Sequence, residues 1–232
     1  MITIRNANDR GHANFGWLDS HHTFSFGSYY DPQQMGFSHL RVINDDTVAP
    51  SAGFDTHGHK DMEIISYVLQ GRIAHKDSAG NIKELPVGEF QLMSAGKGVF
   101  HSEFNASDKD TLKFLQIWIE PNVIGGQPGY QQKAFGNEHG LTSIITPDGR
   151  DGTLSIKQDA QLFQLILDTE KEQTISIKPD RSLYIHQVEG ELTLTDGTVL
   201  TQGDGAKIRL EEAITLKNAG QQQAKALIFD LA

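Results

Sequence analysis

The chain of 232 residues contains no cysteine, which excludes a disulfide framework, a thiolate metal ligand and a cysteine nucleophile. It is also short of positive charge: 20 Lys and Arg stand against 30 Asp and Glu, for a formal net charge of -10. A balance of that sign argues against partners chosen by nucleic-acid phosphates or by an anionic membrane face. Residues 1–10 hold no apolar run of signal-peptide length, and nothing later approaches a membrane span. With no cysteine besides, the chain is expected in the cytoplasm. Long helical periods are missing too.

What the sequence does have is short β-branched runs closed by Asp, Gly or Asn. They cover residues 40–43, 62–69, 72–76, 90–94 and 113–119 in the first half, and 141–145, 153–157, 162–167, 174–177 and 183–188 in the second. Residues 191–200 read as a hairpin, because Asp196-Gly197 suits a two-residue turn with positive φ. Many short strands with regular turns favour an all-β barrel or sandwich. The apolar share of 38% and the length allow two ordinary domains or one large one. Residues 121–129, dense in Pro and Gly, are the best candidate linker and divide the chain into 1–124 and 125–232. Residues 1–38 have little period and are expected to form a short strand followed by loops. There His12, His21, His22 and His39 would be solvated, and Phe24 and Phe26 would belong to the core.

Two stretches carry chemistry. In Thr56-His57-Gly58-His59 the two imidazoles fall on one face of a strand, because strand side chains alternate. The same spacing in His101-Ser102-Glu103 puts a third nitrogen and a carboxylate oxygen on one face of another strand. If the strands face each other, the four side chains meet. Three nitrogens and one oxygen suit a borderline divalent transition metal, whereas magnesium and calcium prefer oxygen alone. Glu63 is a weaker candidate, expected to point outward or to support a ligand. His75 is expected at an exposed rim.

The order Gly53, His57-x-His59, Gly71, Gly98-x-x-His101-x-x-x-Asn105 resembles the paired motifs of the cupin superfamily. Further runs, among them residues 22–27, 30–32, 35–37, 40–46 and 93–98, are similar to the pirin family and to its bacterial quercetinase-like branch. Only three residues separate Gly53 from His57, fewer than the general cupin motif has. The resemblance implies a bicupin of two β-barrel (jelly-roll) domains: a metal-binding N-terminal barrel over 1–124, and a C-terminal barrel over 125–232 without ligands. His186 stands alone there, and no second ion is expected in that barrel.

Carried over residue by residue, the pirin ligands fall on His57, His59, His101 and Glu103. The implied cofactor is one divalent transition metal, Fe2+ first, with Zn2+, Cu2+, Ni2+ or Co2+ able to replace it. The implied activity is a dioxygenase that opens the central ring of a flavonol such as quercetin, with Glu103 as the catalytic base and O2 and a flavonol-like molecule as partners. The alternative is a redox-sensing regulatory protein that binds a protein partner without touching DNA. A zinc enzyme using the ion as a Lewis acid is a further alternative.

Overall fold

The computed structural model describes residues 1–232, and strands account for nearly all of its regular structure. In chain order they are β1 (Ile2–Arg5), β2 (Gly11–Asn14), β3 (Leu18–His22), β4 (Leu40–Val48), β5 (Gly53–His59), β6 (Glu63–Gln70), β7 (Arg72–Asp77), β8 (Ile82–Pro86), β9 (Glu89–Ser94), β10 (Val99–Asn105), β11 (Leu112–Ile119) and β12 (Gly129–Ala134). Then follow β13 (Gly140–Thr146), β14 (Leu154–Ser155), β15 (Ala160–Leu167), β16 (Glu172–Ser176), β17 (Ser182–Glu189), β18 (Leu192–Leu194), β19 (Val199–Leu200), β20 (Gly205–Ile208), β21 (Ala213–Lys217) and β22 (Ala224–Leu231). The helical exceptions are two 3-10 turns, Ala7–Asp9 and Arg150–Gly152. No helix is long and apolar enough to cross a membrane.

The chain divides into two compact units, Gly11–Gly136 with Ile156–Gln158, and Met1–Arg10 with Asn137–Ser155 and Asp159–Ala232. In the first, a seven-stranded sheet runs β12-β9-β6-β11-β4-β3-β2 and a four-stranded sheet runs β5-β10-β7-β8. Their facing sides close on Val48, Val68, Leu112 and Phe114 from the larger sheet and Ile73 and Leu85 from the smaller. Each is almost wholly removed from water, and truncating one such residue to alanine costs roughly 2–5 kcal/mol. The second unit repeats the plan with sheets β1-β20-β17-β22-β15-β13-β14 and β16-β21-β18-β19 around Leu165, Ile185, Ile214 and Ile228.

The expected division at 124/125 falls inside the first unit. Residues 121–129 do turn, but the strand that follows them, β12, returns to pair with β9. Pro and Gly density marks a bend without saying which sheet takes up the next strand. Conversely β1 pairs with β20 and belongs to the second unit.

Two local features set the strands that matter most. Gly71 is the single residue between β6 and β7, which lie in different sheets, and it turns the corner at φ 80°. A Cβ there would come within 3.1 Å of the Thr111 carbonyl oxygen. The end of β10 is tied down by Asn105, whose amide donates to the carbonyls of Val48 and Ala49 (3.2 Å each) and Asp110 (2.8 Å). Between these anchors β10 alternates as its sequence predicts: Val99, His101, Glu103 and Asn105 are buried, while Phe100 is exposed.

Candidate metal centre

His57 and His101 are register partners across β5 and β10, and His59 lies opposite Val99. Parity then brings three imidazoles to one side of the strand pair. Their ring centroids form a near-equilateral triangle: 4.8 Å for His57 to His59, 4.5 Å for His57 to His101 and 4.9 Å for His59 to His101. One nitrogen from each lies within 4.8 Å of the others. His57 Nδ1 is engaged by the Asp55 carbonyl at 2.8 Å, which orients the ring.

Electrostatics keeps two of these rings, His59 and His101, neutral. Burial pushes His101 down to about 3, with His57, His59 and His75 adding repulsion against the opposing pull of Asp77. His59 is pushed down to about 4 by burial and by His57. Neutral imidazole is the form that binds metals. Both ring nitrogens of His101 are buried without a hydrogen-bond partner. Leaving such a group unsatisfied costs roughly 1–3 kcal/mol, and a divalent ion held by the three rings would satisfy one of the two nitrogens. The donor set therefore fits a transition metal, and this is a metal site.

Glu103 is reached differently. It groups with His101 and His75, one ligand atom from each lying within 4.8 Å of the others, so that His101 is common to both sets. Its Oε1 accepts from Ser66 at 3.2 Å and its Oε2 from the Gln116 amide at 3.0 Å. Burial raises its pKa to about 7, against those hydrogen bonds, and a bound cation would pull it down again. Glu63 is buried rather than outward. It accepts from Ser94 at 2.8 Å and from the Lys157 backbone at 3.3 Å, and it joins neither set.

His75 corrects its expectation as a rim residue. It is 1% exposed, with Nε2 3.2 Å from Asp77 Oδ2 and its ring 4.9 Å from Tyr130. The turn residues beyond β7 suggested exposure, but His75 points toward the larger sheet, where Tyr130 of β12 covers it.

Beside the imidazoles opens a cavity of about 420 Å³ lined by His57 and His59. Its walls are aromatic: Phe15, Trp17, Phe26, Phe54 and Trp118. Trp118 meets His59 edge-on at 5.0 Å and Phe26 at 5.4 Å. Across one side runs a polar stripe of Ser20 and His22 on β3, Asn44 and Asp46 on β4, and Gln116 on β11. Register makes it continuous, since Ser20 pairs with Asp46, His22 with Asn44, and Asn44 with Gln116. Ser20 donates to Asp46, whose carboxyl is pushed up to about 7 by burial, with Asp45 and Glu103 adding to the rise.

Sequence reasoning missed this stripe. Asn44, Asp45 and Asp46 read as the end of a strand at residue 43, whereas β4 continues to Val48. The usable signal was Asn44 and Asp46 at period two on a strand face otherwise made by Leu40, Val42 and Val48. His22 is buried on the cavity wall instead of solvated, and Phe26 lines the cavity instead of joining the core. Phe24 is core as expected, and His12 and His21 keep part of their surface in solvent. In the second unit His186 is buried, with Arg10 and Asp204 close enough to act on it.

Comparison with known proteins agrees with this architecture. The pirin family model matches residues 3–119, and the model described as quercetinase C-terminal cupin domain matches residues 143–231. The chain is 47% identical over 231 residues to a protein of Escherichia coli K12 named quercetin 2,3-dioxygenase, covering 100% of this chain and 99% of the relative. It is 38% identical over 236 residues to a pirin-like protein of Caulobacter vibrioides, covering 100% of both. Among solved structures, Escherichia coli YhhW superposes with a TM-score of 0.97 at 46% identity, over 100% of this chain and 98% of that one. The bacterial pirin YhhW in complex with nickel(II) superposes with a TM-score of 0.96 at 46% identity, over 100% and 99%. The fold is thus the bicupin expected, and the chain belongs to the pirin family.

Proposed function

We propose that this protein is a metal-dependent dioxygenase that opens the central ring of a flavonol, consuming O2 and releasing carbon monoxide. The observation that carries the reading is the aromatic-walled cavity opening directly onto His57 and His59. Such walls take a flat aromatic guest by stacking and edge contact, and relatives across the full chain length are named quercetin 2,3-dioxygenase.

His57, His59 and His101 would hold the ion, with Glu103 completing the set. Fe2+ is the ion we assign, since three imidazoles and one carboxylate with open positions suit it; nickel and zinc are competitors by affinity. Bound there, the ion supplies Lewis acidity toward a substrate hydroxyl and a path for electrons between substrate and O2. The chain's own residues do the rest. Trp118, Phe26 and Phe54 fix the plane of the guest and exclude water from one side of it. Glu103, grouped with His101 beside the ion's place, takes the proton of the hydroxyl on the central ring. Ser66 and Gln116 hold its two oxygens while it does so. Asn44 presents a buried carbonyl oxygen without a partner, and Asp46 a carboxyl, to hydroxyls elsewhere on the guest.

The test is spectroscopic. Under anaerobic conditions quercetin should keep its absorption band when mixed with the metal-loaded protein, and admitting oxygen should bleach it with release of carbon monoxide. Glu103→Ala, refilled with metal, should slow bleaching by about 100-fold or more. Bleaching at the parent rate removes the base role, and bleaching without oxygen points instead to Lewis-acid chemistry.

One observation favours a second reading, a metal-dependent interaction protein. Phe100 is 60% exposed and lies opposite Gly58, on the outer side of the strands that carry the histidines. A change of the ion's oxidation state could alter that surface for a protein partner. Partner binding that follows oxidation state, with no flavonol turnover, would decide for it.

A further inference from the structure

The hairpin of β2 and β3 has two faces of different content. Ala13, Leu18, Ser20 and His22 line the cavity, while His12, Asn14, Asp19 and His21 take the other parity. On that outer face His12 and His21 are register partners, and their rings stack at 4.5 Å with 18° between planes. Asp19 Oδ1 lies 3.0 Å from His12 Nε2 and 3.6 Å from His21 Nδ1. Its other oxygen accepts from the Asn14 amide at 2.9 Å, and Asn14 in turn accepts from the Gly16 backbone at 2.8 Å. The carboxylate is thereby held with one oxygen aimed between two imidazoles, and Asp45, the β4 partner of His21, adds negative charge on the same face.

Bonds of about 2.0–2.2 Å at tetrahedral angles put ligand atoms about 3.3–3.6 Å apart. The His12–Asp19 contact, now a hydrogen bond at 3.0 Å, and the His21–Asp19 separation of 3.6 Å lie near that spacing, and all three ligand atoms lie within 4.8 Å of one another. We propose that His12, Asp19 and His21 form a second divalent-metal site, of the zinc class, separate from the centre at His57, His59 and His101. Two nitrogens and one oxygen leave a position for water. Each of the three side chains is 40–52% exposed, so the site exchanges with solution rather than serving as a closed structural staple. An ion there clasps both strands of the hairpin whose opposite face lines the cavity, and Asp19 and His21 alternate with the cavity residues Ser20 and His22. Occupancy therefore stiffens one cavity wall. The proposal does not depend on which reaction the cavity serves.

The experiment counts ions. Protein without an affinity tag is stripped with chelator and titrated with Zn2+ by calorimetry, with equilibrium dialysis and elemental analysis giving the stoichiometry. The parent should bind two ions per chain and His12→Ala/His21→Ala one, with unchanged thermal stability in chelator because both side chains reach solvent. His57→Ala/His101→Ala should keep the hairpin ion. Asn14→Ala, which frees the carboxylate, should weaken the second ion about tenfold or more. A single ion in the parent, or two in the His12/His21 variant, overturns the proposal.

Discussion

His101 and Glu103 stand two residues apart on β10, in regular register with Asp77 and His75 of β7, yet β5 uses one residue more to span the same interval, pairing His57 with His101 and Phe54 with Glu103. The extra residue bends β5 at Asp55 and Thr56, and increased local twist is what such a bulge produces. Because His101 belongs to both sets of donors, it is the residue whose loss should affect the metal most. His101→Ala should leave the dialysed protein with less than about a tenth of parental metal, since a lost ligand also strands a cavity beside two imidazoles. His75→Gln should retain its metal, because His75 is engaged by Asp77. Elemental analysis of both variants after purification without added metal decides it. Equal losses would place His75 among the ligands.

How much of this was legible beforehand depended on parity. The His-x-His and His-x-Glu spacings needed only strand alternation, and β5 and β10 supply it. What alternation cannot show is which sheet a strand joins. That is why a boundary drawn at 124/125 differs from the pairing of β12 with β9 and of β1 with β20, and why the β2–β3 hairpin, polar along its outer face, reads as loop. Asp46 was hidden for a related reason: a buried carboxyl looks like a turn residue until its burial is known.

That carboxyl predicts a pH dependence. A carboxyl whose pKa is higher in the folded than in the unfolded chain binds more protons when folded, so stability is greatest at low pH and falls as pH rises. For Asp46 the window runs from the ordinary carboxyl value of 3.8 to about 7. At about 1.4 kcal/mol per pH unit the full loss is roughly 4 kcal/mol at most. Urea midpoints of metal-free protein at pH 5 and pH 8 should fall less for Asp46→Asn than for the parent. Glu103, shifted in the same direction, keeps part of the fall in the variant. Parallel curves for the two proteins would show that Asp46 is ionised throughout.

Both tryptophans of the chain, Trp17 and Trp118, line the cavity. Intrinsic fluorescence should therefore report occupancy without turnover. Adding quercetin anaerobically should quench the emission in a saturable way. Trp118→Phe should remove the larger share of the change, because Trp118 is the one in edge contact with His59. If quenching is unsaturable, or survives intact in that variant, the guest sits elsewhere.

Two glycines on β5 should behave oppositely when given a methyl group. At Gly53 a Cβ would lie 2.4 Å from the Glu103 carbonyl oxygen and 2.5 Å from Phe104 Cα, both backbone atoms, so β10 must move where Glu103 is placed. At Gly58 the nearest atom is the Phe100 ring at 3.0 Å, and that ring is exposed and free to swing away. Gly53→Ala should cost about 1–3 kcal/mol, the usual penalty of overpacking, and should lower metal affinity as well. Gly58→Ala should change stability by less than about 0.5 kcal/mol and leave the metal in place. Denaturation of the two metal-free variants, followed by metal titration, separates the cases. If Gly53→Ala binds metal as tightly as the parent despite its lost stability, the centre tolerates a shifted β10, and Glu103 contributes little to holding the ion.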